Sequence, residues 1–159
     1  MIIVMTGHTK GLGAEISNYF SSEYVVKGFS RSNGYDIKNP TDRRRIIKTS
    51  LDADIFINLV HNYYHQTDLL YEFFRAWEDQ NKLIINISSQ VVENGNWGLD
   101  RLDYIEYKNQ KLSLESMSEL LSKRKSPIKI RNYRISEINF SEDIKNLNSI
   151  IDEFLLSKK

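Results

Sequence analysis

The chain lacks cysteine, is poor in proline and carries almost no excess of either charge. Its 159 residues include no Cys and 2 Pro, and 22 Lys plus Arg stand against 21 Asp plus Glu, giving a net charge of +1. The absence of cysteine excludes disulfides, a thiol nucleophile and zinc or iron–sulfur sites with cysteine ligands. The near-neutral charge argues against nucleic acid as a partner.

Long hydrophobic runs are also absent. Apolar runs are only a few residues long, as in Ile2-Ile3-Val4-Met5, whereas a helix that crosses a bilayer needs roughly 20 apolar residues. No charged leader precedes this run, so we expect no secretory signal, no membrane partner and a cytoplasmic location. Hydrophobic residues make up 40% of the chain, which is typical of a folded domain. The length predicts a single domain over residues 1–159.

The sequence does contain a regular alternation of two kinds of segment. Short apolar runs rich in β-branched residues predict buried strands, and apolar residues spaced three and four apart predict helices. Asn39 followed by Pro40 is typical of a helix start. Strands are predicted over 2–6, 24–29, 54–59, 82–88 and 128–135, with a very short one at 35–37, and helices over 12–20, 40–50, 66–80, 104–122 and 142–157.

This alternation predicts the fold class. Strands that alternate with helices form a mostly parallel sheet covered by helices on both faces, in a doubly wound, Rossmann-like α/β fold. Such folds bind their ligands at the carboxyl ends of the strands. Functional residues are therefore expected just after positions 6, 30, 59, 88 and 135.

A glycine-rich segment follows the first predicted strand. A tight turn from strand to helix needs residues that tolerate positive φ, and a diphosphate needs bare backbone N–H groups at a helix N-terminus. The spacing G-x-x-x-G-x-G is weak evidence by itself, but its position between a strand and a helix predicts a phosphate loop. An ordinary strand-to-helix turn is the alternative. The predicted cofactor-binding residues in this loop are Gly7, Thr9, Lys10, Gly11, Leu12 and Gly13.

The end of the second predicted strand indicates which nucleotide binds. An NAD site usually places a carboxylate there, to bind the ribose 2′-hydroxyl. Here Ser30 and Arg31 occupy that position, and Lys10 projects from the glycine loop. Cations and a hydroxyl suit a 2′-phosphate, so we expect NADP(H) rather than NAD(H) as the cofactor. The alternative is that Lys10 and Arg31 are solvated surface charges.

Five stretches, taken in chain order, resemble motifs of the short-chain dehydrogenase/reductase family. Together they cover nearly the whole chain, and their ordered occurrence is more specific than any single motif. Residues 6–13 resemble the family's T-G-x-x-x-G-x-G fingerprint, and residues 107–114 resemble its Y-x-x-x-K helix. Between them lie an acidic–aliphatic pair at Asp36-Ile37, one retained residue of an N-N-A-G motif at Asn58, and a serine-bearing strand end at Ile87-Ser88-Ser89.

The resemblance implies a role for each of these residues. Ser89 would hold the substrate carbonyl, and Tyr107 would exchange a proton with it. Lys111 would support Tyr107 and also hold the nicotinamide ribose of the cofactor. The resemblance further places three residues in the cofactor site: Asp36, Ile37 and Asn58.

The spacing of Tyr107 and Lys111 has a chemical meaning independent of the family. Residues four apart share one face of a helix, and a nearby cation lowers the pKa of a phenol. Lys111 also falls in an apolar stripe with Leu114, Met117 and Leu121. Burying an ammonium costs several kcal/mol unless it is partnered, so we expect a partner or ligand there.

Two alternatives remain for this helix. Lys111 could extend its ammonium to solvent from the edge of the stripe. Tyr104 and Lys108 repeat the same spacing, and the pair at 107 and 111 is preferred because Leu-Ser-Leu follows Lys111.

Other polar clusters are weaker candidates. His61 and His65 are four apart but lack the glutamate of a zinc protease motif, so we expect no metal site, and His61 is placed at the mouth of the nicotinamide pocket. The run Arg43-Arg44-Arg45 is interpreted as a solvated helix face.

Together these features predict an NADP(H)-dependent short-chain oxidoreductase that reduces the carbonyl, or oxidises the alcohol, of a small molecule. The alternative is a regulatory module that binds NADP(H) without turnover, which the short segment after residue 135 favours. Helices 66–80 and 104–122 are rich in Tyr, Phe and Leu, and we expect a homo-oligomer formed through them.

Overall fold

A computed structural model describes residues 1–93, 100–135 and 139–158 of the chain. Strands and helices alternate throughout the described residues, as the sequence predicts. Single 3₁₀ turns follow the second and fourth strands, at Arg31–Asn33 and Gln90–Val92. The strands are β1 (Ile2–Thr6), β2 (Val25–Phe29), β3 (Ile55–Asn58), β4 (Leu83–Ser89) and β5 (Lys129–Ile135). The helices are α1 (Gly11–Phe20), α2 (Pro40–Thr49), α3 (His65–Trp77), α4 (Leu102–Ser122) and α5 (Phe140–Leu156).

The strands form one parallel sheet in the order β2-β1-β3-β4-β5. The chain runs from β1 outward to β2 and then crosses to β3 on the other side of β1. The winding direction therefore reverses between β1 and β3, and the loops after these two strands diverge. This arrangement confirms the predicted doubly wound fold and locates the crevice that such sheets use for ligands.

Alternate residues of each strand face opposite layers of helices, because side chains on a strand alternate in direction. Val4, Phe56 and Ile84 belong to an apolar cluster with residues of α2, α3 and α4. Ile3 and Ile85 belong to a second cluster with residues of α1 and α5. The sheet is thus buried on both faces, which explains why its strands are continuous apolar runs.

One predicted strand is wrong. Residues 35–37, which the structure describes, form no strand and connect the first 3₁₀ turn to α2. Gly34 has φ 87°, which breaks the extended backbone. The N–H of Asp36 donates to Asp42 Oδ2 at 3.1 Å instead of to a neighbouring strand. This short segment becomes a wall of the crevice rather than an edge of the sheet.

Element boundaries differ from the predicted ones by a few residues. Helix α3 ends at Trp77, three residues before its predicted end, and α4 begins at Leu102. β4 extends to Ser89, one residue beyond its predicted end, and residues 94–99 lie outside the described part of the chain. No helix within the described ranges is long and apolar enough to cross a membrane.

Candidate active site

The crevice between the carboxyl ends of β1 and β3 is a cavity of about 330 Å³. Its walls are the glycine loop, the turn that follows β2, and the loop that follows β3. Thr6 ties two of these walls together, because its Oγ1 accepts the N–H groups of Leu59 and Val60, each at 3.1 Å. Of the predicted cofactor residues, the crevice brings together Gly7, Thr9, Lys10, Ser30, Arg31, Asp36 and Ile37.

The glycine loop cannot carry side chains where it turns. Gly7 has φ 75°, and a Cβ there would lie 2.6 Å from Val60 Cγ2. A Cβ on Gly13 would lie 1.9 Å from the carbonyl oxygen of Gly7. Lys10 is the N-cap of α1 and gives no side-chain hydrogen bond to its first turn. The turn therefore leaves a bare helix N-terminus at the crevice, which fits a diphosphate.

The turn after β2 is held in shape by Asn33. Its Oδ1 accepts the N–H of Ser30, and its Nδ2 donates to the carbonyl of Gly28, both at 2.8 Å. Ser30 and Arg31 are thereby presented to the crevice. Within the described residues, neither Arg31 nor Lys10 forms an ion pair, so both cations are available to an anion.

Asn58 lies beneath the crevice rather than in its wall. The residue is 0% exposed, and its Nδ2 donates to the carbonyl of Gln66 at 2.9 Å and to Asn86 Oδ1 at 3.0 Å. It shares a register level with Asn86 of β4 and Asn132 of β5. We define these three side chains as the asparagine row. Asn58 therefore braces β3 against β4 and α3.

Lys111 is buried with two partners. It is 3% exposed, and its Nζ donates to Gln66 Oε1 at 2.9 Å and to the carbonyl of Ile87 at 3.0 Å. Burial lowers the pKa of its ammonium to about 8, against the opposing effect of the Glu115 carboxylate. The alternative in which Lys111 reaches solvent is wrong, because Gln66 and the end of β4 hold the charge inside.

Tyr107 lies beside Lys111 and against His61. The Lys111 Nζ is 5.7 Å from the centre of the Tyr107 ring. The His61 ring meets the Tyr107 ring edge to face, with centroids 4.7 Å apart. Although His61 is an exposed residue, partial burial of its ring and the Lys111 charge lower the pKa of its imidazole to about 4. His61 is therefore neutral near pH 7 and adds no second positive charge beside Tyr107.

A second cavity of about 340 Å³ adjoins the crevice on the side of Tyr107. His61 and Asn62 line both cavities. A molecule in the second cavity would thus contact Tyr107 while lying next to whatever occupies the crevice. The remaining walls are Tyr63, Asp103, Glu106 and Gln110.

Ser89 lies at the carboxyl end of β4, as predicted, but it lines neither of these two cavities. It is 5% exposed, and its Oγ accepts the N–H of Val91 at 3.2 Å. The neighbouring Ser88 donates to Glu115 Oε1 at 2.6 Å. The structure therefore brings Tyr107 and Lys111 together beside the crevice, whereas Ser89 sits at the adjoining strand end.

The sequence analysis missed Gln66. This residue is buried, and its Nε2 donates to the carbonyls of Asn58 at 2.7 Å and Ile87 at 3.0 Å. These two bonds direct its Oε1 to Lys111. Gln66 precedes Leu69, Leu70 and Phe73 at helical spacing, so a lone amide in an apolar stripe was the signal that could have found it.

No group of three His, Cys, Asp or Glu side chains that could hold a metal occurs in the described part of the chain. His65 contacts Asp68 instead, with Nδ1 and Oδ2 3.0 Å apart.

Comparison with known structures shows what this arrangement resembles. A short-chain dehydrogenase/reductase from Vibrio parahaemolyticus is similar with a TM-score of 0.73 and 15% identity, over 92% of this chain and 91% of that one. The chain has the short-chain dehydrogenase/reductase fold. No protein-family model and no curated protein matches the sequence itself.

Two further structures with the short-chain dehydrogenase/reductase fold contain nicotinamide cofactors. One is the 3-alpha-hydroxysteroid dehydrogenase from Pseudomonas sp. B-0831 complexed with NADH, with a TM-score of 0.68 and 14% identity over 84% of this chain and 71% of that one. The other is a short chain dehydrogenase from Burkholderia cenocepacia J2315 in complex with NADP, with a TM-score of 0.68 and 16% identity over 82% of this chain and 69% of that one.

Proposed function

We propose that this chain is an NADP(H)-dependent member of the short-chain dehydrogenase/reductase family, which reduces a carbonyl or oxidises an alcohol of a small molecule. The observation that carries this proposal is the placement of Tyr107. It sits beside the buried Lys111 and lines a cavity that shares His61 and Asn62 with the glycine-loop crevice.

The crevice supports a dinucleotide with a 2′-phosphate. The bare turn at Gly7 and the uncapped start of α1 would bind the diphosphate through backbone N–H groups. The segment 35–37 would bind the adenine. Lys10, Ser30 and Arg31 would bind a 2′-phosphate, since the two cations balance its charge and all three side chains can donate hydrogen bonds to its oxygens.

The chemistry divides between cofactor and protein. A nicotinamide bound here supplies or accepts the hydride. In the reducing direction, Tyr107 gives its phenolic proton to the substrate oxygen, and the positive charge of Lys111 favours the resulting phenolate. The resemblance assigns Ser89 a hydrogen bond to the same substrate oxygen, which requires the substrate to reach the adjoining strand end beyond the two cavities.

A regulatory module that binds NADP(H) without turnover is the second candidate. Two observations favour it: Ser89 lines neither cavity, and the Lys111 ammonium is already held by Gln66 and Ile87. Both candidates require cofactor binding, and only the enzyme requires Tyr107.

Substitution of Tyr107 by Phe separates the two candidates. The enzyme should oxidise NADPH against a panel of small carbonyl compounds, and Tyr107→Phe should lose that turnover while keeping its affinity for NADPH. Tyr104→Phe is the matched control, because Tyr104 begins the alternative Tyr–Lys pair on the same helix. Full turnover in Tyr107→Phe, with loss in Tyr104→Phe, would move the proton donor to Tyr104. Cofactor binding without turnover on any substrate would favour the regulatory module.

A further inference from the structure

The arginine run in α2 divides between two environments. It was expected to be a solvated face, and this is wrong for Arg43, which is 7% exposed, although Arg44 is exposed as expected. A buried guanidinium is tolerated only when its charge and its N–H groups are paired. The partners of Arg43 therefore show what the burial accomplishes.

Arg43 connects the wall of the crevice formed by residues 35–37 to α3. We call this wall the adenine-side wall, because these residues are proposed to bind the adenine. Its Nη1 donates to the carbonyl of Ile37 at 2.8 Å, and its Nε donates to Glu72 Oε1 at 3.0 Å. Ile37 lines the crevice, whereas Arg43 and Glu72 do not. The planar guanidinium of Arg43 thus fixes the position of Ile37 relative to α3.

The same guanidinium is linked to the opposite wall. Its Nη2 lies 3.9 Å from Asp68 Oδ2, and that oxygen lies 3.0 Å from His65 Nδ1. The backbone N–H of His65 donates to the carbonyl of Asn62 at 3.0 Å, and Asn62 lines the crevice. The two walls are therefore linked through Arg43, Asp68 and His65, by an ion pair at 3.9 Å and by shorter polar contacts.

Neighbouring residues of α2 hold the rest of the adenine-side wall. The Arg45 guanidinium lies 4.6 Å from the centre of the Tyr35 ring, and Asp42 Oδ2 accepts the N–H of Asp36 at 3.1 Å. Tyr35 and Asp36 both line the crevice. Arg43 differs from Arg45 and Asp42 because its guanidinium also contacts Glu72 of α3.

We propose that Arg43 is a positioning residue of the cofactor site, which sets the spacing between the two walls of the crevice without touching the cofactor. The inference rests on the proposed function, since it assumes that the crevice binds a dinucleotide. These contacts require arginine, because its planar guanidinium has three nitrogens that can reach Ile37, Glu72 and Asp68 at once. The single ammonium nitrogen of a lysine cannot contact all three.

Cofactor affinity tests this role. Arg43→Met should weaken the binding of NADPH and of 2′,5′-ADP at least roughly tenfold, because the adenine-side wall loses its anchor. Arg43→Lys should weaken both by a similar factor. Arg44→Met, which removes the adjacent exposed arginine, should bind both ligands as the wild type does. If Arg43→Met has a lower melting temperature but unchanged affinity, Arg43 is a stabilising residue only and the inference is wrong.

A second variant guards against a failure of Arg43→Met to fold. Glu72→Gln keeps the shape of the side chain and removes the charge that pairs with Arg43. It should weaken NADPH binding in the same direction, and adding Glu72→Gln to Arg43→Lys should weaken it less than the product of the two separate effects. Fully independent effects on affinity would contradict the link.

Hydrogen exchange separates this inference from the proposed function. In cofactor-free protein, Arg43→Met should speed amide exchange in residues 35–37 and in residues 61–62, and Arg44→Met should change neither. Absence of dinucleotide binding in the wild type would refute the proposed function but leave this measurement intact. Faster exchange in one wall alone, or in neither, would refute the coupling of the two walls by Arg43.

Discussion

The ammonium of Lys111 is held at the end of β4 by two neutral oxygens, and its charge is costly there. Burial lowers its pKa from 10.5 to about 8. Between these two values the unfolded chain binds a proton that the folded chain has released, so the free energy of unfolding should rise with pH. Over that window the contribution is roughly 3 kcal/mol. We predict this rise in urea denaturation of the wild type between pH 8 and 10.5.

Lys111→Met is the reference for that measurement, because it removes the titrating group and keeps the length of the side chain. Its stability should lack the extra rise, so the difference between the two proteins should shrink or change sign as the pH increases. Parallel curves for the two proteins would show that Lys111 is not desolvated in solution.

The glycine loop gives a second prediction for single residues. Gly13→Ala should abolish tight NADPH binding, because its Cβ would lie 1.9 Å from the Gly7 carbonyl oxygen and force the loop open. Gly34→Ala is the control, since Gly34 is not among the predicted cofactor residues, a Cβ there meets no atom within 4 Å and only the φ of 87° opposes it. That strain costs about 1–2 kcal/mol of stability. Equal affinities of the two variants for NADPH, measured by calorimetry, would contradict the proposed fit of the loop.

The sequence predicted those site residues whose roles depend on neighbours close to them along the chain. The glycines follow from the turn, and the need for some partner at Lys111 follows from an ammonium in an apolar stripe. Arg43 and Gln66 did not follow, because their partners come from elements distant along the chain. Asn58 was placed in the cofactor site by resemblance, and only the three-dimensional register shows it bonded to Asn86 and α3.

Among the elements, the asparagine row ties three strands to two helices. Asn86 is its centre: it accepts from Asn58 and donates to Ser118 Oγ of α4 at 2.9 Å and to Asn132 Oδ1 at 3.3 Å. Asn86→Ala should lower the free energy of unfolding by roughly 2–3 kcal/mol, because buried polar partners are left unpaired.

Asn132→Ala is the matched control in the same row. Asn132 is exposed on β5, and its partners keep other bonds without it, because Ser118 Oγ still donates to the carbonyl of Leu114 and Asn86 Nδ2 still donates to Ser118 Oγ. The loss should therefore be smaller, about 1 kcal/mol. Chemical denaturation of both variants gives the comparison. A larger loss in Asn132→Ala than in Asn86→Ala would contradict the buried role of the row.

The order of elements was predictable because each strand and helix carries its own periodicity. The strand expected at 35–37 does not form. The positive φ of Gly34 turns the backbone, and the N–H of Asp36 donates to the side chain of Asp42 instead of to a neighbouring strand. Helix ends shifted for the same kind of reason. They depend on capping contacts and neighbouring loops, which periodicity does not record.

For the whole molecule, the outer face of α4 is consistent with the homo-oligomer expected from the sequence, and we propose that it is a dimer. Leu102, Ile105 and Leu112 are exposed and line a shallow apolar depression on that helix, and Tyr71 of α3 is exposed as well. Exposed apolar side chains of this kind favour contact with a second copy. Ile105→Glu should therefore convert a dimer to a monomer at micromolar concentration in sedimentation experiments. Leu51→Glu, at an exposed leucine outside these helices, should leave the dimer intact, and a wild type that sediments as a monomer would contradict the proposal.

We propose that the crevice where the winding of the sheet reverses, between β1 and β3, binds NADP(H). Calorimetric titration of the wild type with NADPH and with NADH tests it most directly. We expect saturable binding of both, with NADPH tighter by roughly tenfold or more because Lys10 and Arg31 are available to its 2′-phosphate. Replacing Lys10 and Arg31 together by Met should remove that preference and leave NADH binding intact. Absence of heat with either cofactor, or tighter binding of NADH by the wild type, would contradict it.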